Sequence, residues 1–397
     1  MNKIVLAFSG GLDTSFCVPY LKKKYDCEVH TVTVDCLGMT SEQKDKLEEK
    51  SLALGADSHA TLDGTDLIYS KIIAYLIKGN VLRDRTYPLS VGAERFIQAM
   101  LIAEYAKNIG ADAVAHGSTG AGNDQVRFDV ALRVVNPDMQ IITPIREEKF
   151  TREQQIKILK EGGFVPMDRD GSKAPYSINA GIWGTTIGGY ETLTPNKALP
   201  PEAFPELKAP HLFNDEAEEF SITFEQGLPV AVNGESDTPL NLLQSIKKAA
   251  VEHGIGRGMH TGDTILGIKG RIGFEAPVAT LVYTAHRELE KQILTKWQRH
   301  LKDTLSDYYG MLLHEAQYFD PVMRNIEAFL DATQERVDGT TNLYLYRGNA
   351  FPLGVESPNS LMNGKAQYGE SSQLWNGEEA RAFSKIYGIA SILSNKQ

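Results

Sequence analysis

Residues 3 to 8, KIVLAF, form a short and largely apolar run that stops at the pair Gly10–Gly11, the pattern of a buried strand entering a turn. Apolar positions Phe16, Val18, Tyr20 and Leu21 follow over 13 to 24 and give way to a lysine run suited to a helix C-terminus. The same order recurs. EVHTVTV at 28 to 34 predicts a strand, and the next helix opens at a Thr40–Gln43 capping box and stops at Gly55. Phe96, Met100, Ile102, Ala103 and Ala106 give residues 93 to 109 one apolar side, Gly110 closes that helix, and DAVAHG reads as the strand after it. QIITPI adds a strand, and a last helix runs from the Thr151–Gln154 cap to Gly162 and Gly163. Strands alternating with helices predict an α/β fold, a doubly wound parallel sheet filling residues 1–165.

Beyond residue 165 the texture changes. Pro195, Pro200, Pro201, Pro205 and Pro210 exclude a long helix or a central strand there, so 166 to 215 reads as extended connecting chain. FSITFEQGLPVAVNG then predicts a hairpin and TPLNLLQSIKKAAVEHG a helix, with Thr238 as cap and Pro239 in its first turn. DTILGIKG and PVATLVYT read as strands, which makes 166–362 an α+β domain, and a long helical stretch covers 286 to 316. The tail 363–397 ends in an amphipathic helix with Phe383, Ile386, Tyr387, Ala390 and Leu393 on one face. That face can dock on another subunit or cover its own.

Composition narrows the possible work of such a chain. At 397 residues and 42% hydrophobic it can bury two cores. No apolar run approaches the roughly 18 residues of a membrane span, and no signal peptide is recognisable, which predicts a soluble, cytoplasmic protein. Cys17, Cys27 and Cys36 show no metal spacing and fit a reducing compartment, so no metal centre is expected. The 41 basic and 51 acidic residues leave a net charge of -10, which opposes nucleic-acid binding and favours small-molecule substrates.

The loop VLAFSGGLDTS, 5 to 15, places two glycines between a strand and a helix, aiming unsatisfied N–H groups and the positive helix end at one point. Hydroxyls of Ser9, Thr14 and Ser15 enlarge the donor supply to what a polyphosphate needs. The spacings GxxxxGK[ST] and GxGxxG are both absent, and the loop has no lysine. Charge neutralisation then falls to Mg²⁺ carried by the nucleotide, with Asp13 near enough to touch it or its waters. The plainer alternative is a turn with Asp13 as helix cap. This loop resembles the phosphate loop of the ATP pyrophosphatases, which cleave ATP between its α- and β-phosphates.

HGSTGAGNDQVRFD, 116 to 129, follows a strand and therefore lies at the same carboxyl edge of the sheet, where ligands bind in open α/β folds. Arg127 can grip a carboxylate in bidentate fashion and Asp124 can take an ammonium. Alternatively Arg127 and Asp129 form a surface pair on a strand RFDVALRVV. The segment is similar to the TGKGNDQVRFE motif of the argininosuccinate synthase family. YPLSVGAER at 87 to 95, SKAPYSINAGIWG at 172 to 184, FEQGLPVAVNG at 224 to 234, HGIGR at 253 to 257, GIKGRIGFEAP at 267 to 277 and AHRELE at 285 to 290 follow in the family's order, so the likeness spans nearly the whole chain.

The resemblance implies an N-type ATP pyrophosphatase domain of the HUP kind followed by a synthetase domain, in a carbon–nitrogen ligase. It also implies ATP-dependent joining of citrulline and aspartate through a citrullyl-adenylate, in arginine biosynthesis. ATP would enter as a substrate with Mg²⁺, with no prosthetic group, and the assembly would be a homotetramer. Carried over by position, Ala7, Phe8, Ser9, Gly10, Gly11, Leu12, Asp13, Thr14, Ser15 and Gly117 would touch ATP, with Lys173 supplying positive charge or remaining a surface lysine. Thr119, Asn123 and Asp124 would hold aspartate. Tyr87, Ser90, Asn123, Arg127, Ser177 and Thr186 would hold citrulline. A catalytic base is not required, because positioning and electrostatics can carry the reaction.

This chain departs from the pattern at four places. Ala121 stands for the family lysine, Gly92 for a citrulline-contacting serine or threonine, Gly262 for a glutamate, and Phe274 for a tyrosine. The last three cluster on the amino-acid end of citrulline, and Asp263 is expected to supply the lost carboxylate. A different ATP pyrophosphatase, acting on another ureido or amide acceptor, is the main alternative. A tRNA enzyme would favour a basic face and later cysteines, and a non-enzymatic nucleotide-binding protein would have no use for GNDQVRFD.

Overall fold

A computed structural model of the chain describes residues 1–36, 39–120, 122–164, 176–362 and 374–396. Its N-terminal part is built from β1 (Lys3–Ala7), α1 (Leu12–Tyr25), β2 (Glu28–Asp35), α2 (Ser41–Ala53) and β3 (Ser58–Asp63). A helical passage of α3 (Thr65–Ile68), a π turn (Tyr69–Ile73) and α4 (Ala74–Gly79) leads to α5 (Glu94–Asn108) and β4 (Ala113–Ala115). Then come α6 (Asp124–Val135), β5 (Gln140–Ile142), α7 (Pro144–Glu148) and α8 (Arg152–Glu161). The five strands form one all-parallel sheet in the order β3-β2-β1-β4-β5, with β1 at its centre.

That position explains why β1 is apolar on both faces. Ile4 and Leu6 pack with Phe16 and Val18 of α1 and Leu159 of α8, while Val5 faces Phe96 of α5 and Leu132 of α6. The Thr40–Gln43 and Thr151–Gln154 capping boxes both form, and they start α2 and α8 where the spacing predicts.

The second part carries two antiparallel sheets. One contains β6 (Ser177–Ala180) and β7 (Thr185–Gly188). After single turns of 3₁₀ helix within the proline-rich stretch, β8 (Glu218–Glu225), β9 (Leu228–Val232) and β10 (Glu235–Ser236) open the other, followed by α9 (Pro239–Glu252). β11 (Arg257–Asp263) and β12 (Lys269–Glu275) join the first in the order β11-β12-β7-β6. Helices α10 (Pro277–Ile293), α11 (Lys296–His314) and α12 (Pro321–Gln334) precede β13 (Gly339–Tyr346) and β14 (Asn349–Glu356), which complete β10-β9-β8-β13-β14. α13 (Gly377–Tyr387) and α14 (Ile389–Ser394) end the chain. The apolar core is continuous between the two parts: Val5 and Phe96 belong to the same cluster as Ile222, Leu281 and Ile326.

Three expectations are corrected. PVATLVYT is the start of α10, not a strand, because Val278, Leu281, Val282, Ala285 and Leu289 follow helical spacing behind Pro277. DTILGIKG is the tip of the β11–β12 hairpin. Thr264 N–H donates to the Ile268 carbonyl at 2.8 Å, and Gly267 supplies the left-handed turn at φ 78°. RFDVALRVV lies in α6, so Arg127 is no surface residue of a strand. The stretch 286 to 316 is two helices, parted where Thr295 caps α11.

A buried polar cluster locks α4 to the three long helices. Lys302 Nζ lies 3.1 Å from Glu290 Oε2 and donates to the Gly79 carbonyl at 3.2 Å. Asn80 and Gln334 each donate to the same carboxylate at 2.7 Å. Removing one charge strands the other in a low dielectric, so Lys302→Met should destabilise the protein by about 3 kcal/mol in urea unfolding. The double variant Lys302→Met/Glu290→Gln should recover part of that loss, and a single variant as stable as the parent would contradict the assignment.

Candidate active site

At the carboxyl end of β1 the backbone turns through Gly10, left-handed at φ 73°, into α1, whose N-cap Gly11 offers no side chain. The hydroxyls of Ser9 and Thr14 meet at 3.2 Å, and Ser15 Oγ donates to the Gly10 carbonyl at 3.3 Å. Lys50 of α2 donates to that carbonyl at 2.6 Å, bringing a cation to a loop that has none of its own. Ala7 ends β1, and the buried Phe8 donates its N–H to the Val32 carbonyl at 2.8 Å, so this pair fixes the loop's root.

The loop after β4 approaches from the side. A Cβ on Gly117 would lie 3.2 Å from Thr14 Cγ2 and 3.3 Å from Asp13 Cβ, which leaves glycine the residue that fits between the loops. Together they border a cleft of about 540 Å³ roofed by the second part of the chain. Asp13, Gly117, Thr119, Asn123, Asp124 and Arg127 line one side. Tyr87, Ser177, Thr186 and Asp263 line the other, with Gly92 and Gly262. Ser90 is buried and is not among the lining residues. Lys173 and Ala121 lie outside the described residues.

Within the cleft Asp124 is gripped by two arginines: Arg95 Nε donates to it at 2.9 Å and Arg127 Nη1 at 3.0 Å. Burial opposes its charge, yet the two guanidiniums outweigh burial and hold the carboxyl below the usual range. Arg127 Nη2 donates to His314 Nδ1 at 3.2 Å, and His314 Nε2 lies 3.2 Å from the Asp263 carbonyl. A neutral imidazole with its proton on Nε2 satisfies both contacts. Arg83 Nη2 donates to that same carbonyl at 2.6 Å. A continuous polar chain therefore runs from Asp124 through Arg127, His314 and the Asp263 backbone to Arg83. Asn123 extends the fastening by accepting the Ile265 N–H at 2.9 Å.

Arg83, Arg95, His260 and His314 were not among the sequence-derived site residues. Arg95 lay at the edge of YPLSVGAER, and Arg83 stands four residues before its tyrosine. His314, at the end of α11, left no local signal. The Asp263 carboxylate is half-exposed and bound to Lys269 Nζ at 2.7 Å, an ion pair that keeps it below the usual range.

The departures have structural counterparts. A Cβ on Gly92 would come within 2.9 Å of the Arg127 guanidinium. One on Gly262 would lie 2.6 Å from His260 Nε2 and 3.2 Å from Asp84 Oδ2. Phe274 is buried against Tyr87 with ring centroids 5.4 Å apart, and His260 stacks on Tyr87 at the same distance. Burial pushes Tyr87 up to about 12 and His260 below the ordinary imidazole value. Among the described residues no group of three or more His, Cys, Asp or Glu could hold a metal ion, and no helix is long and apolar enough to cross a membrane. The three cysteines are buried and unpaired.

The chain matches two family models, the arginosuccinate synthase N-terminal HUP domain over residues 3–165 and the arginosuccinate synthase C-terminal domain over 176–394. It is 38% identical to the argininosuccinate synthase of Xanthomonas campestris, covering 98% of this chain and 97% of the relative. Identity to the Methanocaldococcus jannaschii argininosuccinate synthase is 37% with the same two coverages. For that of Methanopyrus kandleri it is 36%, covering 99% of each chain.

Glu94, buried at the start of α5 beside this network, titrates abnormally: burial lifts its carboxyl from the ordinary 4.5 to about 8, against the pull of Arg95. A carboxyl raised in the folded state gives its stability below the unfolded value and loses it as pH rises through the folded one, here from 4.5 to about 8. Glu94→Gln removes that loss. Urea midpoints of variant and parent should diverge in favour of glutamine as pH rises from about 5 to about 8, and a constant difference would show Glu94 ionised throughout.

Proposed function

The chain belongs to the argininosuccinate synthase family and is a carbon–nitrogen ligase; from this premise we propose that it joins citrulline to aspartate at the expense of ATP, with AMP and pyrophosphate released, in arginine biosynthesis. The observation that carries the reading is the meeting of the two carboxyl-edge loops at Gly117, which sets a phosphate-type helix terminus beside a cleft lined by amino-acid-binding chemistry.

The ureido oxygen of citrulline attacks the α-phosphorus, the bond to the bridging oxygen breaks, and pyrophosphate leaves as a citrullyl-adenylate forms. The amine of aspartate then attacks the ureido carbon, AMP departs with the transferred oxygen, and the amine's surplus protons pass to water. Residues 7 to 15 and Gly117 hold the nucleotide, with backbone N–H groups at the head of α1 facing the phosphates. Lys173 belongs to the same proposed set. Mg²⁺ enters with ATP and screens the phosphate charge; Asp13, at the first turn of α1, is the carboxylate placed to meet it.

Thr119, Asn123 and Asp124 hold aspartate. Its ammonium competes with Arg95 and Arg127 for the Asp124 carboxylate, which is already ionised when the substrate arrives. Citrulline takes Tyr87, Ser90, Asn123, Arg127, Ser177, Thr186 and Asp263. Asp263 must exchange Lys269 for the substrate ammonium, an ion pair weak enough to exchange because both partners are solvated.

We further propose a cytoplasmic homotetramer. Phe383, Ile386, Tyr387 and Leu393 of α13 and α14 are each more than 60% exposed, an apolar stripe that a second copy of the chain would cover.

Incubation with ATP, aspartate and citrulline should release pyrophosphate only when all three are present. Release driven by a different ureido or amide acceptor, with none from citrulline, would replace this reading by that of another ATP pyrophosphatase. Asp263→Ala should raise the KM for citrulline about tenfold while leaving that for ATP unchanged, and an unaltered citrulline KM removes Asp263 from the site. Deleting residues 376 to 397 should lower the mass seen by light scattering; an unchanged mass excludes the docking role.

A further inference from the structure

We propose that Arg83 is a specificity-determining residue of the acceptor end of the cleft, where its guanidinium binds the carboxylate of the ureido substrate; the assignment rests on the ligase reading above. Arg83 lines the cleft, yet it is only 9% exposed. Its Nη2 is taken by the Asp263 carbonyl, and its Nε lies 3.6 Å from the carboxylate of Asp84, which is 63% exposed. Nη1 is buried and meets no acceptor. A buried cationic N–H without a partner is a costly arrangement unless a ligand completes it.

Other cations on the same wall are engaged. Arg127 spends both terminal nitrogens on Asp124 and His314, which leaves its Nε as its open donor. Arg95 is held by Asp124 and Gln98, and Lys269 by Asp263. Arg83 is thus a guanidinium with an open terminal N–H, the geometry that suits a carboxylate oxygen.

The backbone holds Arg83 in place with unusual firmness. Arg83 N–H donates to the Tyr87 carbonyl at 2.7 Å and receives the return bond from Tyr87 N–H at 3.0 Å. Between them Asp84 and Arg85 are both left-handed, at φ 48° and 58°, a conformation that non-glycine residues adopt at a cost. This strained turn sets Arg83 and the buried ring of Tyr87 side by side. Opposite them Gly262 pairs with Gly270 across the hairpin, so neither strand contributes a side chain that would screen the guanidinium. The acceptor end therefore presents a fixed cation, an aromatic wall and bare backbone.

The test is a cycle of one substitution and one substrate analogue. At saturating ATP and aspartate, pyrophosphate release by the parent should show a KM for citrullinamide about tenfold or more above that for citrulline, since the amide cannot accept a charged hydrogen bond. Arg83→Gln, whose amide can still reach the Asp263 carbonyl, should raise the citrulline KM by about tenfold and leave the citrullinamide KM within about twofold. Equal rises for both compounds would mean that Arg83 acts through the fold and would overturn the assignment. Equal KM values for the two compounds in the parent would overturn it as well, without any variant. Arg83→Lys, which keeps a buried cation, repeats the cycle if the glutamine variant does not fold, with an intermediate effect expected. Failure of every ureido acceptor in the parent sinks the ligase reading and this assignment with it; activity on citrulline that is indifferent to Arg83 sinks the assignment alone.

Discussion

The cleft exists because a hairpin tip from the second part of the chain is fastened to the first. The backbone carbonyl of Asp263 receives Arg83 and His314, and the Ile265 N–H is held by Asn123. These contacts join residues from a turn before α5, the end of α11, the β11–β12 tip and the loop before α6. Sequence separation between them reaches 180 residues. Without them the two carboxyl-edge loops would still assemble a nucleotide end, but the amino-acid end would have no roof. The same contacts constrain His314 to the tautomer that accepts from Arg127, so the roof also sets the orientation of a floor residue.

Electrostatics follow a related economy. A chain of net charge -10 must attract a polyanion, and it does so locally: the helix terminus of α1, the Lys50 ammonium at the Gly10 carbonyl, and three arginines lining one cleft. Each of Asp124, Asp129 and Asp263 is paired with a cation in turn, so the cleft is densely charged yet close to neutral. Such paired groups are preorganised and exchangeable. A zwitterionic amino acid can replace an internal ion pair by two external ones without leaving a buried charge alone.

Much of this was legible in the linear pattern. Period and caps locate the first sheet and its helices because local rules decide them: Thr40 and Thr151 form the boxes that their spacing predicts, and β1 is apolar on both faces because both are covered. Failures came where local signals are ambiguous. PVATLVYT is uniformly apolar, so its burial is plain but its period is not, and Pro277 was the cue that favoured a helix. Ile265, Leu266 and Ile268 imitate a strand, yet Leu266 and Ile268 are 50% and 66% exposed at a hairpin tip. The site divided the same way. Residues 9 to 15 and 117 to 127 announce themselves by glycines and polar density, whereas His314 and Lys50 reach the site through tertiary folding from ordinary-looking helices.

The glycines that replace expected side chains are best understood through what stands in their space. At Gly92 the missing group's volume is held by the Arg127 guanidinium; at Gly262 it is held by His260 and Asp84. Neither position can regain a side chain unless that neighbour moves, so each departure is an exchange of one polar group for another and not a simple loss. Recognition at the acceptor end has been handed from the hairpin strand to the turn around Arg83 and Asp84. The phosphate loop, which shares none of these contacts, is unaffected by the exchange. A ligase can therefore retain its nucleotide chemistry while its grip on the far end of the acceptor is rebuilt from different residues.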